Sequence, residues 1–194
     1  MYGLNFAIVA SVPTAGAKQQ VKNNPKRHFW VERFEPPAPE FSDPINILVN
    51  PEVGWIPLGK YYCVLCGIRP KGRFTKLYAI SYTEPSEGCS LDAFAVISGI
   101  VKGYRKTESQ KNCIAVIEQP TGEVWVRMRN DNVGHEGDFM IAQCCICSDI
   151  EDNGITFFAF TPAFMNASSA LTQIDKLKEK TAGRLSKVNA VLSV

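Results

Sequence analysis

The sequence is poor in histidine, holding only His28 and His135. A cysteine nucleophile needs a histidine base within hydrogen-bond reach, and neither histidine sits in a signature that provides one. His28 follows a basic run, and His135 lies in the polar stretch "NVGHEGD". The chain also lacks a Gly-x-Ser-x-Gly elbow and a glycine-rich phosphate loop; "GYRKTESQK" does not have the Walker spacing. Glu136 and Asp138 flank Gly137, a pattern of turn chemistry rather than of a general acid and base. These absences point away from an enzyme, and no cofactor or small-molecule substrate is expected. Net charge is small, +2, so attraction to a charged partner must come from local clusters. No apolar run is long enough to span a bilayer. The opening "MYGLNFAIVASVPTAGA" has no basic residue ahead of its short apolar part, Phe6 to Val12, and reads as a strand rather than a secretion signal.

Cysteine is not scarce. Seven are present, an odd number, mostly inside apolar runs, which suits reduced, buried thiols of a cytosolic protein better than a disulfide framework. Two Cys-x-x-Cys pairs, Cys63 with Cys66 and Cys144 with Cys147, raise the question of zinc. Ribbon pairs normally stand roughly 15 to 20 residues apart, and these stand about eighty apart. Their inner residues, Val64, Leu65, Cys145 and Ile146, belong to strands, where positions i and i+3 face opposite ways. The expectation is no metal, with a zinc-stabilised binding module kept as an alternative.

Most of the chain reads as strand: 5–11, 28–34, 45–50, 60–68, 75–83, 112–119, 123–130, 138–149 and 155–162. These runs are rich in Val, Ile, Phe, Tyr and Trp and are divided by turn chemistry such as "RPKGR", "QPTGE" and "EDNG". In "EVWVRMRN", Val124, Val126 and Met128 share one face, and Trp125, Arg127 and Arg129 the other. Two segments have helical spacing. "SLDAFAVISGIVKGYRK" offers Ser90 as N-cap and Leu91, Phe94, Ile97 and Val101 as its stripe; Gly99 and Gly103 weaken it. The tail over 168–194 has a stripe of Leu171, Ile174, Leu177, Leu185, Val188 and Leu192. Residues 35–59 form a proline-rich strap, and no internal repeat stands out. The expected fold is therefore α+β and β-rich. It is a single domain over 1–194 with a mostly antiparallel sheet or sandwich, one inserted helix and a C-terminal amphipathic helix.

Three basic clusters carry nearby aromatics: Lys18, Lys22, Lys26 and Arg27 before Phe29 and Trp30; Arg69, Lys71, Arg73 and Lys76 at a hairpin tip; and Lys102, Arg105, Lys106 and Lys111. Cations beside aromatics suit phosphate contact with base stacking, and equally an anionic membrane surface. "EPPAPEF" adds a proline-rich core, Pro36, Pro37, Ala38 and Pro39, similar to the late-budding motifs of viral matrix proteins.

On "EPPAPEF", the segment "SLDAFAVISGIVKGYR" and the strand pair "DFMIAQCCICSDIEDNGITFFAF", the chain resembles a rhabdovirus matrix protein in element order. A plant-virus jelly-roll coat or movement-protein core fits the strand count as well. The resemblance implies a non-enzymatic viral structural protein of the host cytoplasm or the virion, self-associating and contacting nucleoprotein or membrane. Partner contact would fall on Pro36 to Pro39 and on Leu171, Ile174 and Leu177. The alternative is a nucleic-acid-binding accessory protein, a movement factor or silencing suppressor, with RNA as partner.

Overall fold

The computed structural model describes residues 5–21, 24–35, 44–85, 93–108, 111–149, 154–169, 172 and 176. Eleven strands follow in chain order: β1 (Phe6–Val21), β2 (Asn24–Glu35), β3 (Ile45–Val49), β4 (Tyr62–Arg69), β5 (Lys76–Thr83), β6 (Phe94–Lys106), β7 (Asn112–Gln119), β8 (Gly122–Arg129), β9 (Asp138–Asp149), β10 (Gly154–Ala159) and β11 (Ala163–Asn166). All nine strands expected from alternation and turn chemistry form.

The inserted helix does not form. Its segment is β6, paired antiparallel with both β7 and β9. Helical spacing at Leu91, Phe94, Ile97 and Val101 was outweighed by the β-branched run Val96, Ile97, Ile100 and Val101, whose side chains fit a pleated sheet better than a helix. The glycines that weaken a helix serve the strand. A Cβ on Gly99 would lie 2.7 Å from the Glu118 carbonyl oxygen and 2.7 Å from Ile117 Cγ2, so only glycine lets the strands close there. The register slips between Val101 and Gly103, a bulge that turns the strand. The expected α+β class is thus corrected to a β fold. Only the first turn of the expected C-terminal helix, 167–169, lies among the described residues with Thr172 and Lys176. Asn166 Oδ1 caps that turn, accepting from the Ser168 and Ser169 N–H groups. Leu171, Ile174 and Leu177 lie outside the described residues, as do Pro36 to Pro39.

The strands close into two five-stranded barrels of the same topology. In the first, β1 pairs β2, β2 pairs β3, β3 runs parallel to β5, β5 pairs β4, and β4 returns to β1. In the second, β6, β7, β8, β10 and β9 repeat that order, with β8 parallel to β10 and β9 returning to β6. Each barrel fills its own interior, the first with Val9, Phe34, Ile47, Val64 and Leu77, the second with Ile97, Ile117, Val126, Met128, Met140 and Phe157, all fully buried. One sequence trace of this repeat is visible: "FAIVAS" opens β1 and "FAVISG" opens β6.

The two barrels join where these copies meet antiparallel, with Ala7 opposite Ala95. The Phe6 and Phe94 rings pack edge to face at 6.5 Å. A polar knot seals the seam: Asn5 Nδ2 donates to Gln119 Oε1 at 2.7 Å, Gln119 Nε2 to the Ser98 carbonyl at 2.7 Å, and the Ser98 N–H to Asn5 Oδ1 at 2.9 Å. Each buried polar group in the knot thereby has a partner.

The seam also answers the zinc question. One row of the sheet runs Cys66, Ala7, Ala95, Cys144 across β4, β1, β6 and β9. Three strand spacings put Cys66 and Cys144 roughly 14 Å apart, far beyond the reach of one tetrahedral zinc at about 2.3 Å per sulfur. Cys66 and Cys144 are buried, while Cys145 and Cys147 are exposed and Cys63 half-buried, so the expectation of buried thiols holds for the inward members only. Among the described residues no three His, Cys, Asp or Glu side chains gather as a metal site.

Candidate nucleic-acid interface

The second basic cluster is the β4–β5 connection of the first barrel, and this loop is docked on the second barrel. The Gly72 N–H donates to the Glu123 carbonyl at 2.7 Å, and the Ile155 N–H donates to the Thr75 carbonyl at 2.9 Å. Thr75 is buried and locks the loop internally: its hydroxyl donates to the Gly72 carbonyl at 2.7 Å and accepts from the Lys71 N–H at 3.1 Å. Gly72 has φ +55°, and a Cβ there would lie 3.2 Å from two atoms of the Trp125 indole. Glycine satisfies the left-handed backbone and the close approach together. The basic loop is thus held against the outer face of β8.

The docked loop and β8 line an open cleft of about 370 Å³, bounded by Lys71, Gly72, Arg73, Phe74, Glu123 and Trp125. Trp125 and Glu123 share the outward face of β8, while Val124 and Val126 point into the barrel, as the alternation of "EVWVRMRN" predicts. Phe74 is 37% exposed. The Arg73 guanidinium lies 4.8 Å and Lys71 Nζ 5.9 Å from the centre of that ring. Arg105, from β6, lies 4.5 Å from the Trp125 ring. Lys102 Nζ donates to Glu123 Oε1 at 3.0 Å. That bond holds the Glu123 carboxyl below its ordinary value, and it raises Lys102 in turn. The cleft therefore brings together two aromatic rings, Lys71 and Arg73 on its loop side, Arg105 against the Trp125 ring, and one ionised acid, Glu123.

Of the residues expected to bind an anionic partner, Lys71 and Arg73 line this cleft, while Lys102 and Arg105 contact its Glu123 and Trp125. Arg69 is exposed at the end of β4, Lys76 is half-buried at the start of β5, and Lys106 is exposed at the end of β6. Lys18 lies on a different feature, the long β1–β2 hairpin. Residues 14–20 are exposed without alternation, although Gly16 packs closely against the Trp55 ring. Lys26 and Arg27 lie on the returning strand β2, and Lys22 is outside the described residues. Composition alone missed Phe74, Trp125 and Glu123. The signals were an aromatic inside the cationic hairpin and an outward tryptophan on an otherwise regular strand.

The remaining candidates behave as turn chemistry. Asp138 Oδ2 accepts from the His135 N–H at 2.8 Å, and Tyr104 Oη accepts from the Gly134 N–H at 3.0 Å. His28 packs edge-on against Trp30 at 5.2 Å.

A five-stranded barrel closed by a parallel pairing of its third and fifth strands is the oligonucleotide/oligosaccharide-binding (OB) architecture, and this chain contains it twice. No protein family and no curated protein matches the chain by sequence. Solved structures do share its fold. The wild-type single-stranded DNA binding protein from Thermus aquaticus matches with a TM-score of 0.55 at 12% identity, covering 86% of this chain and 94% of that one. A deletion mutant of the same protein matches with a TM-score of 0.55 at 10% identity, covering 85% and 95%. At such identities the likeness establishes the fold alone. Its span exceeds either barrel by itself, so the paired arrangement is shared.

The resemblance to a rhabdovirus matrix protein is overturned. Its strand–helix–strand order depended on a helix that is β6, and the two structures above that share the fold are of a single-stranded DNA binding protein. The viral, matrix and virion reading falls with it.

Proposed function

We propose that this protein is a non-catalytic binder of single-stranded nucleic acid. This is the reading first held as the alternative to a structural role. The observation that carries it is the cleft between the barrels, where Phe74 and Trp125 lie among Lys71, Arg73 and Arg105. Single-strand binders combine cations that follow the phosphates with aromatic faces that stack bases, and this cleft holds both. In the OB architecture the loops joining strands one to two and four to five, with the face of strands two and three, line the nucleic-acid path. The basic clusters fall there: 18–27 on the first barrel's β1–β2 connection, 69–76 on its β4–β5 connection, and 102–111 at the second barrel's β6–β7 connection. An anionic membrane offers phosphates but no flat base for Phe74, so the rings favour nucleic acid.

The test is fluorescence anisotropy with a labelled oligothymidine of about 15 nucleotides, against a duplex of equal length. Wild-type protein binds the single strand in preference, and Phe74→Ala weakens that binding by about tenfold, the worth of one stacked base. Equal affinity for duplex and single strand, or an unchanged Phe74→Ala, refutes the reading.

A further inference from the structure

The carboxylate in the cleft is out of place for a surface that only attracts phosphate. Glu123 lies on the same strand face as Trp125, its side chain 34% exposed, and lines the cleft with Phe74 and the two loop cations. Lys102 donates to one of its oxygens at 3.0 Å, which leaves the other oxygen open to a ligand.

We propose that Glu123 makes the cleft selective for guanine, the carboxylate accepting hydrogen bonds from the donor edge of a base stacked at Phe74. The proposal rests on the single-strand-binding reading and names the base. A carboxylate only accepts hydrogen bonds. Guanine alone among the common bases has two adjacent donors on its pairing edge, N1–H and the 2-amino group, which match two carboxylate oxygens. Adenine and cytosine set an amino group beside a bare ring nitrogen, whose lone pair faces the carboxylate. Thymine and uracil set one N–H between two carbonyl oxygens. Lys71 and Arg73, on the loop across the cleft, receive the phosphates flanking the base, so the acid meets the base edge while the cations meet the backbone.

The experiment measures affinity for an oligothymidine of about 15 nucleotides and for versions whose central base is guanine, adenine, cytosine, hypoxanthine or 7-deazaguanine. Wild-type protein is expected to bind the guanine version about tenfold more tightly than the all-thymine strand, the lower range of one bidentate contact. Hypoxanthine, which lacks the 2-amino group, loses most of that gain. 7-Deazaguanine keeps the pairing edge and keeps the gain. Glu123→Gln removes the preference for guanine, so that its guanine and all-thymine strands bind with the same affinity as each other. A wild-type protein that binds all versions alike, or a guanine preference that survives in Glu123→Gln, overturns the proposal. A 7-deazaguanine strand that binds like thymine also overturns it, because the recognised edge is then the other one. Should Glu123→Gln fail to fold, the hypoxanthine and 7-deazaguanine comparisons decide with wild-type protein alone. If no strand binds at all, the single-strand reading itself fails, an outcome distinct from equal binding.

Discussion

Replacing Glu32 by Gln should remove a pH dependence of stability that the first barrel carries. Glu32 points into that barrel from β2, between Trp30 and Phe34, opposite Ile47 and Gly16, and is fully buried. Its Oε1 accepts from the Ile56 N–H at 3.0 Å, which ties the 50–60 connection to the barrel, while Oε2 is buried without a hydrogen-bond partner. Burial dominates that single bond and pushes the carboxyl from 4.5 up to about 7. Below pH 4.5 both folded and unfolded chains hold the proton, and stability does not depend on this group. Between 4.5 and 7 the unfolded chain releases it and the folded chain keeps it. The folded state then binds more protons, so unfolding free energy falls as pH rises. Above about 7 the loss is complete, about 3 kcal/mol for a displacement of this size. Urea unfolding at a series of pH values from 4 to 8.5 measures it as the difference between wild type and Glu32→Gln, which cancels the other titrating groups. That difference should shift by about 3 kcal/mol in favour of the variant as pH rises through the window. A difference that stays flat with pH refutes a buried, largely unpartnered carboxyl at this position.

Three further outcomes follow from the same geometry. Gly99→Ala would stabilise a helix by about 1 kcal/mol, but in β6 it drives a Cβ to 2.7 Å from a backbone oxygen; a lowered thermal midpoint supports the strand and a raised one contradicts it. Gly72→Ala, at φ +55° and against the Trp125 indole, should cost about 1–2 kcal/mol and change the tryptophan emission of the folded protein; unchanged stability and emission would mean the loop is not docked. Cys145 and Cys147 should react with a thiol reagent in native protein, whereas Cys144, pushed up to about 12 by burial, and Cys66, pushed higher still, should react only on unfolding. Mass spectrometry of the labelled peptides reads the order, and early labelling of Cys66 or Cys144 contradicts the packed seam.

Sequence reasoning recovered the strands because each alternates or is a β-branched run bounded by turn residues. It misread β6 because Leu91, Phe94, Ile97 and Val101 satisfy a helical stripe as well as a strand with a bulge. What separates the two is the approach of Glu118 to Gly99, a contact with a strand about twenty residues away that local pattern does not contain. Barrel closure was invisible for the same reason: it depends on the pairings of β3 with β5 and β8 with β10, which join strands distant in sequence. The repeat went unread: its one sequence trace, "FAIVAS" and "FAVISG", stands out only once β1 and β6 are seen to open equivalent barrels. For the interface, the cations were legible as clusters. Their sorting was not: Lys71, Arg73 and Arg105 converge on two rings through a loop docked on a neighbouring barrel, whereas Lys18 lies on a separate arm.

The most direct test of single-strand binding is the salt dependence of affinity for oligothymidine, with Lys71→Glu combined with Arg73→Glu beside wild type. Phosphate contacts release counterions, so the logarithm of affinity should fall linearly with the logarithm of salt, by about 0.7 per phosphate neutralised on a single strand. The account predicts a clear negative slope for wild type. For the double variant it predicts weaker binding and a slope shallower by about 1.4, the share of two contacts. Affinity that ignores salt, or a double variant indistinguishable from wild type, would contradict it.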